Sequence, residues 1–250
     1  MPRKQNQTRQ KQRAVRRQAE DHTALHNAAA EAEHREKIRA SYEPIRARTE
    51  AQGRYIASIK GKTITFATGP AGTGKTWVCG SLAADALRDK QIDKIIVTRP
   101  AVEAGESLGF LPGEMEEKFS HYLTPFREVL EERLGSGAYE YHVRMGNIEG
   151  APLAYMRGRT FRNAIVVLDE AQNTTPEQMK MFLTRIGEGS RLIINGDTEQ
   201  VDIRGKSGLA DAIERVTWIP SVGHIHFDRK DVVRHGVIQE ILESYAKESA

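Results

Sequence analysis

The sequence predicts an α/β fold, with a mostly parallel sheet covered by helices on both faces. Short apolar runs alternate with helical segments along the 250-residue chain. Two of these runs, 165–168 and 191–195, have continuous apolar interiors, which is typical of parallel strands buried on both faces. A glycine-rich turn also separates the first apolar run from a helix. Because strands that alternate with helices form parallel sheets through right-handed crossovers, the pattern favours this fold class.

The boundaries of the elements follow from hydrophobic periodicity. Strands are predicted at 64–68, 94–98, 165–168, 191–195 and 225–227. Helices are predicted at 75–89, 113–134, 176–186, 208–216 and 232–247. A further segment, 18–50, is rich in Ala, Glu and Arg and predicts a helix that is interrupted near Pro44.

Composition excludes several classes of protein. Hydrophobic residues make up 39% of the chain and charged residues 28%, which is not the composition of a collagen, a mucin or a disulfide scaffold. Cys79 is the single cysteine, and we expect it to pack as a small hydrophobic residue. No apolar run approaches the roughly 20 residues that span a bilayer, and no apolar segment follows the basic N-terminus. We therefore expect a cytoplasmic protein with no membrane partner.

The charge is distributed unevenly. The formal net charge is +3, yet seven of the 37 Lys and Arg residues lie in residues 1–17, where there is no acidic residue. The sequence therefore predicts a basic arm, helical in part or disordered, over residues 1–48, and a mildly acidic domain over residues 49–250. Such an arm either contacts phosphates or an acidic surface, or is a solvated tail.

A phosphate-binding loop is predicted at residues 69–76, which read GPAGTGKT and match G-x-x-x-x-G-K-[ST]. Glycines let successive backbone N–H groups surround phosphates, and the N-terminus of the following helix adds positive partial charge. We expect Lys75 to contact the β- and γ-phosphates and the Thr76 hydroxyl to bind Mg²⁺. The predicted nucleotide-binding residues of this loop are Gly69, Pro70, Ala71, Gly72, Thr73, Gly74, Lys75 and Thr76.

Two carboxylates follow the strand predicted at 165–168. Asp169 is predicted to hold the Mg²⁺ ion, directly or through water, and Glu170 to activate the attacking water molecule. Ligands of open parallel sheets bind at the carboxyl ends of the strands, where both residues lie. The pair favours hydrolysis by water over phosphate transfer to an acceptor.

A third strand, predicted at 191–195, also ends in polar residues. Either Gln200 or Asn195 is predicted to contact the γ-phosphate through a hydrogen bond. Asp197 has two interpretations: it binds water or Mg²⁺, or it caps the following turn.

Longer motifs accompany these elements, and together they resemble the PhoH family from about residue 50 to residue 246. They lie at 69–76, 98–101, 105–113, 151–160, 168–173, 196–202, 207–209 and 231–235. The resemblance implies a RecA-like P-loop NTPase, similar to the first RecA-like domain of superfamily-one helicases, with ATP and Mg²⁺ as cofactors. The first 48 residues are too short for a PIN-type nuclease domain. The compact form resembles versions carried by bacteriophages, which would place it in the host cytoplasm.

The resemblance also implies roles for polar residues outside the loop. Gln52 is expected to bind the adenine edge, or else to be an exposed helix residue. Arg99 is expected either to bind a nucleic-acid phosphate or to brace its own loop. Arg157 and Arg159 are tentative nucleic-acid contacts, with the nucleotide or a neighbouring subunit as alternatives.

A chain with one RecA-like domain is expected to lack the arginine that a second domain would bring to the ATP site, so that charge comes from another subunit or is absent. The candidates to supply it from a neighbouring subunit are Arg229 and Arg234, and we favour Arg234, for which an intrachain salt bridge is the alternative. Head-to-tail contacts close into rings, so we predict a homohexamer with ATP sites between subunits. The basic arms would then gather near one face.

The sequence therefore predicts an ATP-hydrolysing ring that binds or remodels single-stranded RNA or DNA. One alternative is an ATP-dependent assembly switch with slow or no turnover. A second alternative is a nucleotide or small-molecule kinase.

Overall fold

The computed structural model describes residues 43–100 and 115–233. The chain divides into two compact units between Pro44 and Ile45, and all the described strands and helices belong to the second unit. Most of the predicted basic arm lies outside the described residues. So does the helix predicted at 232–247, apart from its first two residues.

Six strands form one sheet in the order β3-β2-β4-β5-β1-β6, and every neighbouring pair is parallel. This confirms the predicted α/β class. The strands are β1 Ile64–Thr68, β2 Lys94–Arg99, β3 Ile148–Pro152, β4 Ala164–Leu168, β5 Arg191–Gly196 and β6 Val222–His226. The helices are α1 Glu50–Gly61, α2 Lys75–Arg88, α3 Met115–Leu134, α4 Ser136–Arg144, α5 Pro176–Leu183 and α6 Gly208–Val216.

Helices cover both faces of the sheet. Because side chains alternate along a strand, Ile193 of β5 belongs to one buried cluster and Ile194 to the other. The first cluster packs the sheet against α1, α2 and α3, with Phe126 fully buried among them. The second packs it against α5 and α6 through residues such as Phe182.

Local sequence explains where two helices begin. The Thr49 hydroxyl caps α1 by accepting a hydrogen bond from the backbone N–H of Gln52. Thr175 and Gln178 form a capping box at the start of α5, where Pro176 occupies the first turn. None of the described helices is both long enough and apolar enough to cross a lipid bilayer.

Several predicted boundaries differ from the structure. The helix predicted over 18–50 is wrong at its described end, because residues 43–49 are not helical and a new helix begins after the Thr49 cap. The last strand is Val222–His226 rather than 225–227, and α5 ends at Leu183 rather than residue 186. Strand β3 and helix α4 were not predicted.

Strand order brings three polar strand ends together. Strand β5 lies between β1 and β4, so the carboxyl ends of these three strands are neighbours. The phosphate loop leaves β1, Asp169 follows β4, and Asp197 follows β5. The order of the sheet therefore gathers segments from distant parts of the chain at one edge.

Candidate nucleotide-binding site

A cavity of about 360 Å³ opens at this edge of the sheet. Loop residues 71–76 form one wall, and residues at or just after the carboxyl ends of β2, β4 and β5 form another. Pro125 and Val129 of α3 add an apolar side. Nine residues that the sequence assigned to one site line this cavity, namely Ala71, Gly72, Thr73, Gly74, Lys75, Thr76, Asp169, Glu170 and Gln200. The predicted residues Gly69, Pro70 and Gln52 are not part of its wall.

The backbone of the loop requires glycine. Gly69, Gly72 and Gly74 have φ values of 130°, 83° and 85°. A Cβ atom on Gly69 would lie 2.1 Å from the carbonyl oxygen of Phe227. Within the described part of the chain, no oxygen accepts a hydrogen bond from the backbone N–H groups of residues 72–76. A row of such groups beside a helix N-terminus is the chemistry of an anion site, and it fits a polyphosphate.

The Lys75 ammonium is held against its own loop. Its Nζ atom donates to the carbonyl oxygens of Gly69, at 2.6 Å, and Pro70, at 2.9 Å. It also lies 6.0 Å from the centroid of the Phe227 ring. Burial lowers the pKa of Lys75, while the nearby carboxylates, Asp197 first among them, act in the opposite direction. A phosphate would therefore replace carbonyl oxygens as the partner of a partly desolvated ammonium group.

Asp169 provides a buried carboxylate at the end of β4. Burial raises the pKa of Asp169, and the Arg99 guanidinium opposes that shift. The Nε atom of Arg99 donates to Asp169 Oδ2 at 3.0 Å, and its second terminal nitrogen contacts the same oxygen. Thr76 lines the cavity with Asp169. A hydroxyl and a carboxylate are oxygen ligands of the kind that Mg²⁺ prefers, so these residues fit a magnesium ion.

Glu170 is exposed and has a left-handed backbone, with φ of 53°. Its carboxylate accepts a hydrogen bond of 2.8 Å from Nε2 of Gln172. The other side-chain atom of Gln172, Oε1, accepts from the backbone N–H of Asp197 at 3.0 Å. Gln172 therefore ties the end of β4 to the end of β5 and orients Glu170. Sequence reasoning gave Gln172 no role, although it lies in the same motif.

The structure separates the residues predicted at the end of β5. Asn195 is fully buried behind the loop, where it accepts from the Tyr55 hydroxyl at 2.6 Å and donates to the Cys79 sulfur at 3.3 Å. Asn195 is not part of the cavity wall, so the structure favours Gln200 over Asn195 as the phosphate contact. Asp197 caps the following turn by accepting from the backbone N–H of Glu199, and it also lines the cavity.

Gln52 is a buried brace of the phosphate loop. Its Nε2 atom donates to the carbonyl oxygen of Thr73, and its Oε1 atom accepts from the backbone N–H of Arg48, both at 2.9 Å. The alternative of an exposed helix glutamine is therefore wrong, since Gln52 is 3% exposed. Its contact with adenine stays a prediction.

The predicted arginines lie in different places. Arg99 lines the cavity and braces its own site by pairing with Asp169. Arg159 pairs with Glu149 instead, and both Arg157 and Arg229 are exposed. These three are not part of the cavity wall.

Arg234 lies outside the described residues. The residue before it, Val233, donates its backbone N–H to the carbonyl oxygen of Gly72 in the same chain, at 2.9 Å.

The parallel sheet, the glycine-rich loop and the two carboxylates beside it define a RecA-like P-loop NTPase. Comparison with known families agrees, since the family described as PhoH-like protein matches residues 44–246. The chain belongs to the PhoH family.

Relatives in several bacteria are about half identical to this chain over the residues that align. Protein PhoH of Escherichia coli strain K12 is 52% identical over 207 residues, which cover 81% of this chain and 58% of the relative. A PhoH-like protein of Bacillus subtilis strain 168 is 53% identical over 207 residues, which cover 82% of this chain and 65% of the relative. The chain thus spans less than two thirds of the length of these relatives.

Similar solved structures include a helicase and a bacteriophage terminase. The Pif1 helicase of Candida albicans is 15% identical, with a TM-score of 0.38 and coverage of 74% of this chain and 40% of that chain. The large terminase of bacteriophage HK97 is 13% identical, with a TM-score of 0.46 and the same two coverages.

Proposed function

We propose that the protein binds ATP with Mg²⁺ in the cavity at the sheet edge and hydrolyses it by attack of water on the γ-phosphate. One observation supports this most directly: Lys75, Thr76, Asp169 and Glu170 line a single cavity. These are the side chains that such a reaction requires for phosphate binding, metal binding and water activation.

In this proposal the loop and Lys75 bind the phosphates. The backbone N–H groups of residues 72–76 donate to phosphate oxygens, and the Lys75 ammonium exchanges its carbonyl partners for the β- and γ-phosphates. When bound through Thr76 and Asp169, Mg²⁺ supplies positive charge that offsets the negative charge of the phosphates. The loop is braced for this role by Gln52, which holds the Thr73 carbonyl group.

Glu170 is the general base of the proposed reaction. One of its carboxylate oxygens already accepts from Gln172, which leaves the other oxygen to accept the proton of the attacking water molecule. Because Gln172 is itself fixed by the backbone of Asp197, the carboxylate is oriented before the substrate arrives.

The preference for ATP over GTP is assigned to Gln52. A glutamine side chain has two N–H groups and an oxygen with two lone pairs. One N–H group and one lone pair are used within the protein. The remaining N–H group and lone pair can bind an acceptor and the amino donor on the adenine edge, whereas guanine carries an oxygen acceptor in place of that donor.

Phosphate release from ATP tests the proposal. Lys75→Ala is expected to lower the rate to the background, because the γ-phosphate loses its cation. Lys60→Ala is the matched control, since Lys60 is an exposed lysine in the last turn of α1. Equal rates for wild type and Lys75→Ala would contradict the assignment.

We also propose that the protein acts as a homohexameric ring on single-stranded RNA or DNA. The basic arm supports this proposal, because residues 1–17 contain seven basic residues and no acidic residue. Phosphate contacts make affinity fall steeply with salt, so stimulation of phosphate release by single-stranded RNA should weaken as salt rises. Absence of stimulation by RNA and by DNA at low salt would contradict this part of the proposal.

A further inference from the structure

Arg99 and Asp169 occupy equivalent places on two adjacent strands. Strands β2 and β4 pair in register, with Thr98 opposite Leu168, so Arg99 and Asp169 are the next residues along each strand. The backbone N–H of Asp169 donates to the carbonyl oxygen of Thr98 at 2.9 Å, which extends the ladder to this point. The backbone therefore fixes the two side chains beside each other.

The ion pair offsets the cost of burying the Asp169 carboxylate. The Asp169 side chain is 9% exposed, and a buried carboxylate without a counter-charge is unfavourable. Arg99 supplies that charge through two nitrogen atoms that contact the same oxygen, Oδ2. The Arg99 side chain is 27% exposed, so it has a path away from Asp169 toward solvent.

We propose that Arg99 is the resident cation of the magnesium site, and that its guanidinium group must leave Asp169 before Mg²⁺ can bind there. This inference rests on the proposed function, which gives Asp169 to Mg²⁺. Arg99 and Mg²⁺ are both positive and both would interact with the Asp169 carboxylate, so they would repel each other there. Only molecules in which Arg99 has left Asp169 are competent to bind the metal ion, so the ion pair lowers the apparent affinity for Mg²⁺. This effect lasts until Mg²⁺ and nucleotide arrive together.

The displacement runs in both directions. By thermodynamic reciprocity, if the Arg99–Asp169 ion pair lowers the affinity for Mg²⁺ by some factor, bound Mg²⁺ weakens the ion pair by the same factor. Arg99 is the last residue of β2, so its side chain would change position, when the site is occupied, at the point where the chain leaves the sheet.

Metal binding to the nucleotide-free protein tests this proposal. The probe is Mn²⁺, followed by electron paramagnetic resonance, in wild type, Arg99→Gln and Arg99→Lys. Removing the charge in Arg99→Gln should lower the Kd for Mn²⁺ by about tenfold or more. Arg99→Lys keeps the charge but contacts Asp169 through one nitrogen, so an intermediate Kd is expected. The lysine variant also keeps the test valid if the glutamine variant does not fold.

Arg215→Gln is the matched control. Arg215 pairs with Asp211 through an arginine–aspartate contact of 2.7 Å that lies outside the cavity wall. Its loss should leave the Kd for Mn²⁺ unchanged. An unchanged or higher Kd in both Arg99 variants would overturn the proposal, because Arg99 would then not compete with the metal ion.

A second measurement separates displacement from long-range repulsion. In wild type, the Nε–H resonance of Arg99, assigned by its loss in Arg99→Lys, should be protected from solvent exchange by Asp169. Adding a fluorescent ADP analogue with Mg²⁺ should abolish that protection, and the same analogue with EDTA should not. Protection that persists with Mg²⁺ bound would overturn displacement. Failure of the analogue to bind under either condition would instead contradict the proposed nucleotide site.

Discussion

At the scale of single residues, a buried hydrogen-bonded cluster supports the phosphate loop from behind. The Tyr55 hydroxyl donates to Asn195, whose amide donates in turn to Cys79. Burial raises the pKa of Tyr55 well above its usual value, so its hydroxyl remains a donor. The cluster joins α1, α2 and β5, which all contribute to the site.

Removing the Tyr55 hydroxyl should therefore destabilise the fold. Tyr55→Phe leaves the Asn195 oxygen buried without a partner, and we expect a loss of about 1–3 kcal/mol in the free energy of unfolding. Urea denaturation measures it. Tyr141→Phe is the control, because Tyr141 is 49% exposed and should change stability by less than about 0.5 kcal/mol. Equal effects of the two substitutions would contradict the structural role of Tyr55.

Cys79 should be inert in the folded protein. Burial raises its pKa to about 12, so at pH 8 roughly one thiol in ten thousand is ionised. We expect iodoacetamide at pH 8 to leave the native protein unmodified, as measured by mass spectrometry, and to modify the urea-unfolded protein within minutes. Similar rates for native and unfolded protein would show that the thiol is accessible.

At the scale of elements, the phosphate loop depends on contacts with a segment far away in sequence. The carbonyl oxygen of Phe227 lies close to the position that a Cβ atom on residue Gly69 would occupy. The backbone N–H of Val233 donates to the carbonyl oxygen of Gly72. The segment after β6 therefore packs against the loop that leaves β1.

Gly69→Ala should disrupt that packing. A Cβ atom 2.1 Å from the Phe227 oxygen, at a φ of 130°, forces the backbone to shift. We expect thermal or urea unfolding to show a loss of at least about 2 kcal/mol. Gly61→Ala is the control, because no atom lies within 4 Å of its added Cβ, and it should be neutral or slightly stabilising. A Gly69→Ala protein as stable as wild type would contradict the close packing.

The elements that the sequence predicted well are those with strong local signals. The phosphate-loop motif determines where strand β1 ends and where helix α2 begins. The predicted helix at 208–216 matches α6. Strand β3 was missed because it reads IEGAP, with a glycine, a proline and no alternation. Among the described strands it pairs only with β2, at the edge of the sheet. Its register comes from that pairing rather than from its own sequence.

The site shows the same division. Lys75, Thr76, Asp169 and Glu170 could be predicted because each follows a strand or lies in a motif, and parallel strands end at one edge. The Arg99–Asp169 pair could not, because it joins residues 70 apart in sequence and depends on β2 lying beside β4. The role of Gln172 also depends on burial and on its contact with the end of β5.

At the scale of the whole molecule, the proposed ring makes each ATP site a shared one. Arg234 would complete the site of a neighbouring subunit, as predicted from the resemblance to helicase-like proteins. The alternative is that Arg234 acts at the ATP site of its own subunit. It is suggested by the hydrogen bond between the backbone N–H of Val233 and the carbonyl oxygen of Gly72 in one chain.

Mixing two inactive variants distinguishes these possibilities. Lys75→Ala and Arg234→Ala should each lose phosphate release, and an equimolar mixture should recover up to about a quarter of the wild-type rate if sites are shared. That recovery arises where an intact loop meets an intact arginine from the next subunit. No recovery would place Arg234 in its own site.

The control for subunit mixing combines Lys75→Ala with Glu170→Gln. Both substitutions affect the same cavity of one subunit, so their mixture should not recover activity. Recovery in this control would show that the increase does not depend on sharing between subunits.

Glu170→Gln tests most directly whether this cavity hydrolyses ATP, when ATP binding and phosphate release are measured on the same sample. We predict near-wild-type affinity for ATP and a fall in phosphate release of about 100-fold or more, because only the general base is lost. Glu177→Gln, which alters an exposed carboxylate in the first turn of α5, should leave both unchanged. Undiminished release by Glu170→Gln would contradict the mechanism, and a wild type that binds ATP without releasing phosphate would replace it with an assembly switch.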